Sequence, residues 1–345
     1  MAEKVGRIAG KDKARVLMAT RARSRNAPTV SSPFEVEADR LEREKFVDPH
    51  VTADGSDRAS VALRELDTLW FATGTLCNLA CANCYIESSP TNDALIYMSA
   101  AHVARFLDEI APRRSREIGF TGGEPFMNPE IIAMIEDALS RGHEVLVLSN
   151  AMKPMRRHEA ALMRLHETYG SKLTIRVSID HHTQAVHEAE RGPASWQPML
   201  EGMRWLSANG FSLAAAGRRL GGETDEAARN SYRLLFETEA IALDVDDPVR
   251  LVLFPEMDAS ADVPEITTDC WGILNKSPDD VMCSSSRMVV HRKGEAAPRV
   301  VACTLLPYDP GFDLGDTVDE ADRSVALNHP HCARFCVLGG ASCSG

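Results

Sequence analysis

The chain of 345 residues contains no uninterrupted apolar run approaching the roughly 20 residues that a membrane-spanning helix requires. Its N-terminus lacks the apolar core of a secretory signal, so no membrane partner and a cytoplasmic location are expected. It also lacks a basic balance. Lys and Arg total 38 against 50 Asp and Glu, a formal net charge of −12. That argues against a protein built around a nucleic-acid backbone, because such proteins present a basic face. Nor is it a small disulfide scaffold. Its nine cysteines fall into two groups, three at 77–84 and six from Cys270 to Cys343. Grouped cysteines in a chain with no secretory signal point to metal rather than to disulfides. A hydrophobic content of 44% and a charged content of 26% are ordinary for a globular protein long enough to hold one large domain and a smaller one.

Cationic charge is concentrated in residues 1–26, where Lys4, Arg7, Lys11, Lys13, Arg15, Arg21, Arg23 and Arg25 oppose Glu3 and Asp12, or 8 − 2 = +6. This reads as a solvated arm, with docking to an acidic partner or nucleic acid as the sharper alternative and a transit peptide as the weaker one. Residues 27–60 are rich in Pro, Ser, Asp and Glu. The folded core is therefore expected from Arg64, giving an extension over 1–63, a core domain over 64–256 and a C-terminal module over 257–345.

Within the core, apolar runs alternate with amphipathic segments. Strands are expected at Leu66–Thr73, Glu117–Thr121, Glu144–Ser149, Leu173–Ile179, Phe211–Ala216 and Val249–Phe254. Helices are expected at Ser99–Ile110, Pro129–Ser140, Arg157–Tyr169, Trp196–Ala208 and Glu226–Glu237. Such alternation implies right-handed βαβ units and an α/β fold with a parallel sheet covered by helices. Six strands fit an open partial barrel better than a closed barrel of eight, and the chemistry of such sheets sits at the strands' carboxyl ends.

The stretch Thr75–Tyr85, T-L-C-N-L-A-C-A-N-C-Y, follows the first strand and brings Cys77, Cys81 and Cys84 within eight residues. Soft thiolates select iron–sulfur clusters or zinc over hard cations, and three ligands leave one iron of a cluster open. The spacing C-x3-C-x2-C resembles the signature of the radical SAM superfamily. The wider C-N-L-A-C-A-N-C-Y is similar to members with a C-terminal SPASM or twitch domain. The resemblance implies a (β/α)6 partial TIM barrel holding an open-site [4Fe–4S] cluster. It further implies that S-adenosylmethionine binds the open iron and is cleaved to a 5'-deoxyadenosyl radical. A structural zinc knuckle or buried thiols are the alternative on the cysteines alone.

Two further motifs lie after strands. Phe120-Thr-Gly-Gly-Glu-Pro125 offers two glycines that allow close backbone approach, and a carboxylate. The resemblance assigns Gly122, Gly123 and Glu124 to the amino group of S-adenosylmethionine. Val177-Ser-Ile-Asp180 with His187-Glu-Ala-Glu-Arg-Gly192 resembles the S-x-D…H-x-x-x-R-G segment of SPASM-type members. It implies that Ser178 and Arg191 help hold the cofactor's ribose and carboxylate, and Arg suits a carboxylate because its planar fork donates two bonds. Asn150, after the preceding strand, is a further candidate for cofactor binding. No catalytic residue beyond the cluster is assigned. The pattern departs from the family at two points. Asn83 stands where an aromatic usually meets the adenine, with Tyr85 following the cysteine instead. His181 replaces the usual glycine, so that His181 and His182 are expected at the cavity mouth, as substrate groups or as a solvent-exposed pair.

In the C-terminal module, Cys283 and Cys303 flank Met288–His291 and Arg299–Ala302, which read as a hairpin with the two cysteines near its base. Cys332, Cys336 and Cys343 follow. The module resembles a twitch or short SPASM domain, implying one auxiliary [4Fe–4S] cluster held by four of these five cysteines, with zinc as the alternative. His329 or His331 could also ligate, with outer-shell or solvent-exposed roles expected ahead of that, and Cys270 is expected as a buried thiol. The implied activity is that of a radical SAM enzyme acting on a small metabolite or a peptide. The implied reductant is a flavodoxin or ferredoxin. The polar N-terminal extension does not read as a winged-helix precursor-binding domain, which favours a small molecule. Peptide side-chain maturation, RNA modification through the basic arm, and a non-catalytic iron–sulfur or zinc protein are the other readings.

Overall fold

The computed structural model describes residues 44–340 apart from 114, 221 and 256–261. The basic arm and Cys343 therefore lie outside the described residues.

Eleven strands are described in chain order: β1 (Ser60–Val61), β2 (Thr68–Ala72), β3 (Glu117–Thr121), β4 (Glu144–Ser149), β5 (Leu173–Ser178), β6 (Ser212–Arg218), β7 (Leu251–Phe254), β8 (Ser286–Val290), β9 (Arg299–Val301), β10 (Asp313–Gly315) and β11 (Val325–Ala326). Nine form one sheet in the order β10-β9-β8-β2-β3-β4-β5-β6-β7. The run from β2 to β7 is parallel throughout, as the βαβ alternation requires. The sheet is open, with β7 and β10 at its edges.

Helices Ala100–Ile110, Ile131–Ser140, Glu159–Tyr169, Trp196–Ala208 and Asp225–Thr238 occupy the crossovers. Their apolar faces close on the sheet: Val103, Phe106, Leu107 and Ile110 of the first are all buried. Phe71 of β2 packs against Phe106 at 6.2 Å and Phe120 at 5.8 Å between ring centroids. Ser99 caps the first helix by accepting from the His102 amide, and Thr224 caps the last by accepting from the Ala227 amide. A Gly in the middle of Trp196–Ala208 has a packing reason. A Cβ on Gly202 would fall 1.9 Å from the Ala151 carbonyl oxygen, so only glycine lets this helix lie on the turn that follows β4.

Two features differ from expectation. Packed structure begins before Arg64. Ala59 and Val61 are fully buried, β1 pairs antiparallel with β11, and buried Arg58 ion-pairs with Glu265. Within the polar stretch 44–63, Lys45 and Arg58 pair with Asp262 and Glu265. The C-terminal module also contributes to the main sheet. β8 adds to β2 in parallel, Thr68 opposite Ser286 and Phe71 opposite Val289, before β9 and β10 continue antiparallel. The expected hairpin is present, and its first strand belongs to the main sheet.

A candidate radical SAM site at the strand ends

The loop after β2 is held by backbone. Thr75 donates to Leu95 O at 2.9 Å and Cys77 to Ser89 O at 3.0 Å. Opposite, Gly123 donates to Gly74 O at 2.7 Å and Glu124 to Leu76 O at 3.1 Å, seating the end of β3 against the loop. The glycines permit this. Gly122 has φ +134°, and a Cβ on Gly123 would lie 2.2 Å from Leu76 O. The close approach that the Gly-Gly pair makes is thus to the cysteine loop's own backbone.

Cys77, Cys81 and Cys84 all line one cavity, together with residues at the ends of β3 to β6. The Leu79 amide donates to Cys77 Sγ at 3.4 Å and the Ser88 amide to Cys84 Sγ at 3.3 Å. Burial pushes the Cys77 thiol up to about 12, with smaller contributions from Glu124, Cys81 and Cys84. Burial also raises Cys81, partly offset by Arg191. Three soft donors that face one cavity, two of them, Cys77 and Cys81, made costly to ionise by burial, fit a thiolate-bound metal centre.

Glu124 is buried behind this wall. It accepts from the Ser149 hydroxyl at 2.9 Å, the Asn150 amide at 2.8 Å and the Phe126 amide at 3.2 Å. Burial raises its carboxyl to about 7 despite these bonds. Asn150 lines the cavity and bonds Asn78 Oδ1 at 2.9 Å; the next residue, Ala151, takes a left-handed φ of +57° that turns the chain sharply there. Ser178 and Arg191 also line the cavity. Arg191 ion-pairs with Asp180 at 2.8 Å, an interaction that raises Arg191 against the cost of burial. Burial of Asp180 is outweighed by Arg191 and Arg218, which hold its carboxyl below the usual range.

The sequence reading did not single out Arg218. The structure carries β6 two residues past the expected end at Ala216, which places Arg218 in the cavity wall. It ion-pairs with Asp180 at 3.6 Å and Glu190 at 3.4 Å and donates to Asn83 O at 3.0 Å. Its position at a parallel strand's carboxyl end was the available signal. Asn83, at the aromatic position, donates to Glu190 Oε2 at 2.5 Å, while the Tyr85 hydroxyl meets Thr121 Oγ1 at 3.1 Å and lines the cavity.

The histidines depart from expectation. His181 is buried, His182 is half-buried, and neither lines the cavity. The His181 ring turns to Thr183 and stacks on His182, whose other neighbour is Tyr232. His329 is half-buried and His331 fully buried, not solvent-exposed, and burial lowers them to about 4 and about 3. Cys270 is half-buried, with the Thr267 amide 3.4 Å from its sulfur.

In the C-terminal module, burial raises Cys283 to about 11. Burial also raises Cys332 well above its ordinary value, with smaller contributions from Cys303 and Cys283. Cys336 is half-buried one turn on, in the π-helical segment Cys332–Leu338. Buried Arg287, unforeseen in the sequence, spans the hairpin base by donating to the carbonyls of Cys283, Ala321 and Arg323. Thr304, Leu305 and Phe335 from this module wall the same cavity as Cys77.

Comparison with known proteins agrees with this geometry. The sequence profile of the Radical SAM superfamily matches residues 72–235, from the end of β2 into the last crossover helix. This chain carries a radical SAM domain. It is similar to the antilisterial bacteriocin subtilosin biosynthesis protein AlbA of Bacillus subtilis (strain 168), 28% identical over 167 residues. That alignment covers 48% of this chain and 35% of AlbA. Among solved structures, Streptococcus suis SuiB bound to precursor peptide SuiA matches with a TM-score of 0.54 at 11% identity, over 75% of this chain and 65% of SuiB. SuiB bound to S-adenosylmethionine matches with 0.52 at 11% identity, over 73% and 63%. The match thus spans about a third of the curated relative and under two thirds of the second structure. The structural matches establish the partial-barrel architecture expected of the α/β alternation. Among the described residues, no helix is long and apolar enough to cross a membrane.

Proposed function

We propose that this chain is a radical SAM enzyme that modifies a peptide substrate, with an auxiliary cluster in its C-terminal module. The observation that carries the reading is the placement of three thiols, Cys77, Cys81 and Cys84, in the wall of one cavity at the carboxyl ends of the parallel strands. When bound there, a [4Fe–4S] cluster supplies an electron to S-adenosylmethionine, releasing a 5'-deoxyadenosyl radical. The chain's own residues do the rest. The backbone lock between 74–76 and 122–124 fixes the loop. Asn150, Ser178 and the Asp180–Arg191 pair present polar groups for the cofactor. Trp70, Leu148, Leu305 and Phe335 supply apolar wall that excludes water from a reactive radical.

Two comparisons favour a peptide over the small metabolite suggested by the polar N-terminal extension. AlbA is named for bacteriocin biosynthesis, and SuiB is described with a precursor peptide. For the auxiliary cluster, Cys283, Cys303, Cys332 and Cys336 are the described donors, and Cys343 is the remaining candidate. A flavodoxin or ferredoxin is the reductant this reading calls for.

The test is anaerobic reconstitution with iron and sulfide, followed by assay of 5'-deoxyadenosine formed from S-adenosylmethionine under reduction. The wild type is expected to form it, and a variant with Cys77, Cys81 and Cys84 replaced by Ala is expected not to. Equal product from both, or none from a wild type with full iron loading, would overturn the proposal.

A further inference from the structure

One cluster of potential metal ligands belongs to neither cysteine group. His181 and His182 follow β5, and Glu223 lies in the loop that leads from β6 to the helix Asp225–Thr238. A ring nitrogen of each histidine and a Glu223 oxygen lie within 4.8 Å of one another. His182 Nε2 contacts Glu223 Oε1 at 3.1 Å, with side-chain exposures of only 16% and 18%. The second carboxylate oxygen, Glu223 Oε2, is buried and has no hydrogen-bond partner. A buried carboxylate oxygen without a donor is costly, and a cation at this point would relieve the cost.

The rings are oriented before any ion arrives. The Thr183 amide donates to His181 Nδ1 at 3.1 Å, with the Thr183 hydroxyl 2.9 Å from the same nitrogen, so Nδ1 accepts and the neutral ring carries its proton on Nε2. The two imidazoles stack at 3.9 Å between centroids and 32° between planes. The Tyr232 ring meets His182 edge-on at 5.6 Å, and its hydroxyl is fixed by donation to Ile179 O at 2.9 Å. Packing on both sides therefore fixes the two ring planes, while ligation through His181 Nε2 requires its proton to move to Nδ1 and be donated to the Thr183 hydroxyl.

We propose that His181, His182 and Glu223 bind a divalent transition-metal cation of the zinc class. Two imidazoles with one carboxylate suit zinc and its neighbours, whereas calcium and magnesium favour all-oxygen shells. Three protein ligands leave a fourth position for water or another ligand. Bound there, the ion ties Glu223 to the end of β5, one residue from Asp180. Asp180 holds both Arg191 and Arg218 at the cavity wall. The site is thus placed to fix the rim of the radical SAM cavity without entering it.

The experiment uses the full chain with its iron–sulfur centres reconstituted, freed of loosely held metal and then titrated with zinc. Elemental analysis gives the stoichiometry, and X-ray absorption at the zinc edge gives the donors. The expected result is one zinc per chain with a nitrogen and oxygen shell near about 2.0–2.1 Å and no sulfur near about 2.3 Å. His182→Asn and Glu223→Gln are each expected to weaken binding at least about tenfold, no less than the loss of an outer-shell partner does. Circular dichroism of both variants reports whether they fold, and two variants at separate ligands guard against one that does not. No zinc uptake, a sulfur shell, or unchanged affinity in both variants would overturn the proposal. None of these readouts uses turnover, so failure of this site and failure to cleave S-adenosylmethionine are seen separately.

Discussion

Replacing Gly123 by Ala tests whether backbone contact seats the cysteine loop. The new Cβ would lie 2.2 Å from Leu76 O, 2.6 Å from Leu76 C and 2.8 Å from Thr75 O. All three are backbone atoms, so no side-chain rotation relieves them. Reaching an ordinary 3.4 Å separation requires a shift of 3.4 − 2.2 = 1.2 Å. Such a shift along the 2.7 Å bond from Gly123 N to Gly74 O would stretch it to 2.7 + 1.2 = 3.9 Å, beyond hydrogen-bonding range. The neighbouring bond from Glu124 N to Leu76 O starts at 3.1 Å and would be lost with it. Two net hydrogen bonds at about 0.5–1.5 kcal/mol each give about 1–3 kcal/mol, the range also expected for overpacking a tight site. Gly272→Ala is the control. Its Cβ would meet nothing within 4 Å, and alanine in a helix is neutral to favourable. Urea unfolding measures the stability change. Thiol labelling with mass spectrometry should show Cys77, Cys81 and Cys84 becoming more reactive while Cys283 does not. A Gly123→Ala protein within about 0.5 kcal/mol of wild type, the scatter of neutral surface changes, and with unchanged labelling would refute the reasoning.

Glu124 is raised from 4.5 to about 7 by burial, so the folded state binds its proton more tightly than the unfolded state. Stability from this group is full below pH 4.5 and falls as pH rises to 7; at 1.36 kcal/mol per unit the 2.5 units amount to about 3 kcal/mol. Glu124→Gln should flatten that slope in unfolding measured across the same window, and an unchanged slope would contradict it. His187 runs the other way: burial lowers it to about 4, so its contribution is present above pH 6.5 and lost as pH falls toward 4. Both His187 ring nitrogens lack hydrogen bonds and the ring packs on Trp196 at 5.2 Å, so His187→Phe should keep neutral-pH stability and remove part of the acid loss. Asp180→Asn leaves Arg191 and Arg218 without their shared carboxylate and should cost about 3–5 kcal/mol by urea unfolding, as breaking a buried pair does; a change below about 1 kcal/mol would place the network in solvent-like surroundings.

Local pattern made most of the barrel legible. Glu117–Thr121, Glu144–Ser149 and Trp196–Ala208 have the bounds expected from their apolar periodicity and their Gly or Asn stops. What stayed hidden was non-local. Nothing in Ser286–Val290 announces that it will pair with β2, because the partner lies more than two hundred residues earlier. The burial of Arg58 depends on Glu265, and that of His187 on Trp196. His181 and His182 read as rim residues because they follow a strand end. Their inward turn follows from Thr183, Tyr232 and Glu223, which the topology brings together from three segments. The cysteine group at 77–84 was legible because a loop with close spacing needs no distant partner to bring its sulfurs together.

The pairing of β2 with β8 also arranges the two cysteine groups relative to each other. Both strands run the same way in register, Thr68 opposite Ser286 at their amino ends. Cys77 follows the carboxyl end of β2, whereas Cys283 precedes β8. β9 returns antiparallel, Val301 opposite Met288, so Cys303 leaves the hairpin toward the end where Cys283 lies. Cys77 and Cys283 thus lie in segments at opposite ends of one strand pair. The chain then bridges that gap. Thr304 and Leu305, directly after Cys303, enter the wall of the Cys77 cavity, and the Tyr308 hydroxyl donates to Ile86 O beside Cys84 at 3.0 Å. A substrate in that cavity would therefore touch the segment leaving one cysteine group while facing the other. This arrangement follows from strand direction and register, so a residue slipped in β8 would turn its side chains to the opposite face and disturb both ends together.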